Sequence, residues 1–179
     1  MNLNATATLR TSRTTLKLLA PGDFEEILGL FHEPDTFRFI PHLQQKTMDE
    51  YRAVLANRLN QIASGIALHW TARTPAGELV GVLNYSPISE TDRMQLGFQI
   101  RSKFHRQGYA TELARAVVEH VRTQQRTGLV YGVCSIEHIA SATVLERIGF
   151  RLHEQRSDVF VYVLDLEDNP SSSNEGKSS

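Results

Sequence analysis

The stretch His105-Arg106-Gln107-Gly108-Tyr109-Ala110-Thr111-Glu112 constrains this chain more than any other. It is a short basic turn containing a glycine, and it runs directly into residues of helical period. Ala110, Leu113, Ala114, Val117, Val118 and Val121 recur at the i, i+3, i+4, i+7 spacing of one helix face. A helix must therefore open within a residue or two of Gly108. Its first turn leaves several N–H groups without intrahelical partners, and the positive end of its dipole suits an anion. Gly108 lets a backbone amide approach a ligand where a β-carbon would collide. Arg101, Lys103, His105 and Arg106 add positive charge. The chemistry on offer is the binding of a polyanion, a pyrophosphate above all. A solvated basic turn is the alternative, since neither G-x-x-x-x-G-K-[ST] nor G-x-G-x-x-G occurs.

The surrounding order places this turn. Residues 14–19 alternate and read as a strand. Pro21-Gly22-Asp23 then opens a helix carrying Phe24, Ile27, Leu28 and Phe31. Pro34 and Pro41 bracket a helical turn at 35–40. Thr47-Met48-Asp49-Glu50 is a capping box opening a helix to about Ile62. Strands follow at 67–73 and 79–85, forming a hairpin, and at 94–100. After the helix from Gly108 come a strand at 129–136, a short helix at 139–148 stopped by Gly149, and strands at 150–154 and 159–166. Strand, helix and strand at 94–136 imply a parallel pair. The basic turn then sits at the carboxyl end of a parallel strand, where α/β sheets hold ligands.

Composition narrows the classes. With 179 residues, 41% of them hydrophobic, the chain reads as one domain over 1–168 with a low-complexity, disordered tail at 169–179. A formal net charge of −1 offers no global attraction for nucleic acid or an anionic membrane. The polar, threonine-rich start lacks the apolar core of a secretory signal, and no apolar run reaches membrane-spanning length. A single cysteine, Cys134, excludes an internal disulfide framework and suits the cytoplasm, and no metal-ligand pairs occur at short spacing.

Three segments resemble the GNAT superfamily of acyl-CoA-dependent N-acetyltransferases, and within it the RimJ/RimL-like branch. Gln95-Leu96-Gly97-Phe98-Gln99-Ile100 resembles the family's Glu-Leu-Gly-Tyr-x-Leu strand. His105 through Glu112 resembles its pyrophosphate turn. His138 through Phe150, with Ser141 and Val144-Leu145-Glu146-Arg147-Ile148-Gly149-Phe150, resembles its Asn-x-x-Ser…Val-Leu-Glu-Lys-x-Gly-Phe segment. The resemblance implies an α/β fold with a mixed, mostly antiparallel seven-stranded sheet, one central parallel strand pair and flanking helices. It implies acetyl-CoA as co-substrate and a primary amine as acceptor, favoured as a protein N-terminal α-amine or an amino acid; it leaves room for a homodimer. Phe98, Gln99 and Ile100 would pair with the pantetheine amides. Arg106, Gln107, Gly108, Tyr109, Ala110 and Thr111 would receive the pyrophosphate, with His105 as phosphate donor or turn residue. Ser141 would be the hydroxyl near the sulfur. Phe37, Phe39, His42, Tyr85 and Gln95 fall where the family lines its acceptor pocket.

Two departures bear on mechanism. Gln95 replaces the glutamate often found on that strand, and a glutamine cannot take a proton. His138 replaces an asparagine beside the cofactor, which exchanges an amide's donor–acceptor pair for an imidazole and makes binding pH-sensitive. Glu90, Asp92 and His69 are the other proton acceptors in the chain's middle. The departures favour low-pKa amines, and they are also what a non-catalytic acyl-CoA-binding relative would carry. A polyamine- or antibiotic-modifying enzyme differs only in acceptor and would want an acidic pocket.

Overall fold

Two short strands, β1 (Leu9–Arg10) and β2 (Thr15–Leu18), lead into helices α1 (Phe24–Phe31), α2 (Pro41–Gln44) and α3 (Met48–Ala63). Three longer strands follow, β3 (Leu68–Arg73), β4 (Leu79–Pro87) and β5 (Met94–Ile100). Helix α4 (Tyr109–Gln125) crosses to β6 (Leu129–Ser135), and α5 (Ile139–Arg147) leads to β7 (Arg151–Gln155) and β8 (Val159–Asp165). The computed structural model describes residues 8–44, 46–89, 91–125 and 128–167. The proposed tail at 169–179 lies outside them.

Among the described residues eight strands, not seven, form one sheet in the order β1-β2-β3-β4-β5-β6-β8-β7. The added strand, β1, is two residues long, too short to carry a period-two signal. The helical turn expected at 35–40 forms instead at Pro41–Gln44, while 35–39 are turns. Proline is suited to the first position of a helix, where its missing N–H has no partner to lose. The capping box is present: Glu50 N–H donates to Thr47 Oγ1 at 3.3 Å, and Thr47 N–H donates to the Glu50 carboxylate at 2.6 Å.

Helices cover both faces of the sheet. Opposed residues in antiparallel strands share a face, so Leu68, Tyr85 and Leu96 point one way and His69, Asn84 and Gly97 the other. The first set joins Leu113, Ala114, Val117, Val118 and Val121 of α4 in one buried core. On the opposite face, Val82 packs with Ile27, Leu28, Phe31 and Leu55 of α1 and α3.

The one parallel pairing is also the shortest in the middle of the sheet. β5 pairs with β4 along all seven residues, but meets β6 only at Met94–Val130 and Gln95–Tyr131. From Leu96 onward the β6-facing edge of β5 has no strand partner.

Candidate active site

The open edge of β5 leads into the basic turn. After Ile100 a 3-10 turn (Ser102–Phe104) precedes Arg106 and Gly108, which both have positive φ, 58° and 81°. Glycine takes that conformation freely, whereas Arg106 is held in it. The N–H groups of residues 106–111 make no backbone hydrogen bond of ordinary geometry; the first such bond back into the helix is Glu112 N–H to Gly108 O at 3.1 Å. Six successive donors are therefore left without a strong backbone partner at the mouth of α4, where an anion could be held.

Side chains brace this turn. His105 Nε2–H donates to Ile100 O at 2.8 Å, so that nitrogen carries the proton, and Gln107 Nε2 donates to Lys103 O at 2.7 Å. Arg13 is the brace that inspection of the sequence missed. It donates through Nη1 to Gln107 O at 3.0 Å and through Nε to Glu112 Oε2 at 2.8 Å, and lies 3.9 Å over the Tyr109 ring. Burial works against the Glu112 charge, but hydrogen bonds from Thr11 and Arg13 and the Arg13 charge outweigh it and hold the carboxyl below its ordinary value.

His138 stands across the seam as the N-cap residue of α5. Its ring stacks on Phe39, centroids 4.3 Å apart and planes at 18°. Burial, then the neighbouring His105 charge, lowers its pKa, so it is neutral at pH 7. The segment carrying Phe39 is tied to the end of β5 through Glu33, which accepts from Arg101 Nε at 2.7 Å and from Ser102 N–H and Oγ at 2.7 and 2.8 Å. Ser141 lies in the first turn of α5, its N–H bonded to His138 O at 2.9 Å. Burial raises the pKa of the Cys134 thiol, and Cys134 is buried and free, so it behaves as a small apolar side chain.

The pocket residues read from the sequence do not all come together. Gln95 shares the α1/α3 side of the sheet with Asn84, Ser86 and His69; Asn84 Nδ2 donates to Ser86 Oγ at 2.8 Å. Gly97 leaves room for the Asn84 amide, since a β-carbon there would lie 2.5 Å from Asn84 Oδ1 and push that side chain aside. Tyr85 points to the opposite face and is buried under α4, while Phe37 is buried against Phe31 and Tyr51. Both are core residues. His42 belongs to α2, but its side chain lies outside the described residues, as does Glu90. Asp92 is exposed.

His69 is buried, with Nε2 bonded to Gln61 Oε1 at 2.9 Å and Nδ1 unpartnered. Burial, then the charge of Arg58, pushes its pKa down to about 3. Arg58 lies 5.6 Å over the Phe31 ring and has no carboxylate partner among the described residues; burial lowers its pKa to about 10. Among the described residues no group of three or more His, Cys, Asp or Glu could hold a metal ion, and no helix is long and apolar enough to cross a membrane.

The mixed sheet with one central parallel pair, β5 with β6, is the fold that the sequence resemblance implied. Residues 13–151 match the family model described as an acetyltransferase (GNAT) domain. The chain belongs to the GNAT acetyltransferases. It is 27% identical over 150 residues to the uncharacterized protein YkkB of Bacillus subtilis (strain 168), covering 82% of this chain and 87% of that one. It is 29% identical over 157 residues to the FsC-acetyl coenzyme A-N(2)-transacetylase of Aspergillus fumigatus, covering 83% of this chain and 67% of that one. The solved structure of RimL, a ribosomal L7/L12 α-N-protein acetyltransferase in complex with coenzyme A, superposes with a TM-score of 0.77 at 16% identity over 90% of this chain and 99% of that one, a likeness of fold. This GNAT protein is an acetyl-CoA-dependent N-acetyltransferase that acts on amines.

Proposed function

We propose that the acceptor is a low-pKa α-amine, a peptide N-terminus or an amino acid, rather than a lysine side chain, polyamine or aminoglycoside. The observation that carries this reading is the neutral floor beside the open seam. Gln95, Asn84, Ser86 and a neutral His69 share that face, and none of them is a carboxylate. The acids carried by α1 and its flanks are already paired: Asp23 and Glu26 with Arg73, Glu33 with Arg101, Glu25 with Arg52. Unpaired Arg58 next to His69 is unfavourable to a polycation and favourable to an acceptor carrying a carboxylate.

Magnitudes point the same way. Presenting an α-amine of pKa near 8 as neutral at pH 7 costs about 1.4 kcal/mol, against about 4.6 kcal/mol for a lysine near 10.4. A site whose strand carries Gln95 has no base there to offset the larger figure. Gln95 can orient the amine by hydrogen bonding while water carries the proton away.

The unpaired edge at Phe98, Gln99 and Ile100 suits strand-like pairing with pantetheine amides, and the donors at 106–111 suit the pyrophosphate. His105, Gln107 and Arg13 hold that turn in shape; Ser141 is the hydroxyl for the departing sulfur, and Phe39 with His138 walls the acceptor side. Acetyl-CoA supplies the acetyl group as an activated thioester. The motifs favour the RimJ/RimL-like branch, and the single cysteine favours a cytoplasmic enzyme.

The test is thiol release at pH 7 with α-amine peptides, free amino acids, Nα-blocked lysine peptides, spermidine and an aminoglycoside. Alpha-amines should lead lysine in kcat/KM by at least about tenfold, within the roughly two orders of magnitude the pKa difference allows. Faster turnover of lysine, spermidine or the aminoglycoside overturns the reading. Tight CoA binding without turnover on any amine overturns it too.

A further inference from the structure

An open groove of about 580 Å³ runs from the basic turn along the outer side of α4. Gly108 and Thr111 form its near end, and Arg10, Arg115 and Arg147 line the rest. Its one acid, Glu112, is held by Arg13 at 2.6 Å. Arg10, Arg115 and Arg147 have no carboxylate partner among the described residues. Arg115 Nη2 donates to the Arg147 carbonyl at 3.1 Å, which fixes its guanidinium against the groove wall. Three cations without a carboxylate partner, from three separate segments (the end of β1, the second turn of α4 and the end of α5), line this one groove and would all attract an anion bound in it. Such convergence, with forked donors, matches a phosphate dianion.

The groove is continuous with the cradle formed by residues 106–111, so its anion belongs to the same molecule if the ligand carries a second phosphate a few bonds from a pyrophosphate. Coenzyme A does, on the 3′-carbon of its ribose. We infer that Arg115 and Arg147, with Arg10, bind the 3′-phosphate of coenzyme A and make the enzyme discriminate against 3′-dephospho-CoA. The inference rests on the pyrophosphate lying at the turn.

Binding of CoA and of 3′-dephospho-CoA is measured by calorimetry on the wild-type chain, Arg115→Gln, Arg147→Gln, Arg10→Gln and the charge control Arg52→Gln, which lies on α3. The wild-type chain should prefer CoA by about tenfold or more, the worth of a charge-assisted hydrogen bond. That preference should fall with salt, collapse toward one in Arg115→Gln and Arg147→Gln, and stay unchanged in Arg52→Gln. Equal wild-type affinity for the two ligands, or a preference that survives all three groove substitutions, overturns the inference. Gly108→Val separates the two readings. If it weakens both ligands while the arginine variants change nothing, only the 3′-phosphate assignment fails; if both ligands bind Gly108→Val as they bind wild type, the turn reading fails with it.

Discussion

Two side chains on the α1/α3 face of the sheet, Gln95 and His69, carry separate predictions about pH. If Gln95 faces the amine as proposed, Gln95→Glu puts a base there and should raise kcat/KM for lysine-type amines and move the acid limb of the rate profile to lower pH. An unchanged profile would show that the position does not meet the amine. His69 acts on stability instead. Its folded pKa is about 3, against an ordinary value near 6.5 in the unfolded chain. As pH falls below 6.5 the unfolded chain gains a proton that the folded one refuses, so the stability present above 6.5 is progressively lost. The slope is at most about 1.4 kcal/mol per pH unit. His138, lowered in the same direction, adds to it. Urea titrations of wild type and His69→Gln at pH 6.5 and 5 should differ by about 2 kcal/mol in that loss; equal losses would remove His69 as the cause. The types of these residues were legible in the sequence, but their surroundings were not. Strand alternation alone would have set Tyr85 with Leu83 on the α4 face and away from Asn84 and Ser86. An isolated phenylalanine such as Phe37, in an irregular stretch, carries no comparable signal.

At the level of elements, the starts of α3 and α4 were legible within a residue, because a capping box marks one and Gly108 the other. The clamp on the turn was invisible, since Arg13 and Glu112 are 99 residues apart and nothing local couples them. Removing it should matter to the co-substrate more than to the chemistry. Arg13→Ala frees the Glu112 charge beside the anion cradle and releases the Gln107 carbonyl. The KM for acetyl-CoA should rise about tenfold, the scale of one charge-assisted contact, with kcat within about twofold. Arg13→Lys, which keeps the charge but loses the fork, should fall between the two. If KM stays at the wild-type value in Arg13→Ala, the clamp has no part in holding the turn.

Across the whole molecule the sheet separates two apolar cores, one under α4 and α5 and one under α1 and α3. Ile27→Val in one should cost about 1 kcal/mol and Val117→Ala in the other about 1–3 kcal/mol. Lying on opposite faces, they should add within about 0.5 kcal/mol in denaturant titrations; a coupling above 1 kcal/mol would mean the cores are not independent. That architecture was legible because strand-helix-strand order around α4 demands a parallel pair. How far the pair extends was not, because divergence of two strands leaves no mark on either. The two-residue seam has a thermodynamic corollary. The sheet's two halves are joined by a minimal zipper, so whatever fills the gap becomes an extra rung shared between them. Occupancy should then lift the melting temperature, by the equivalent of about 2.7 kcal/mol at a hundredfold excess over Kd, and slow amide exchange most along residues 97–100.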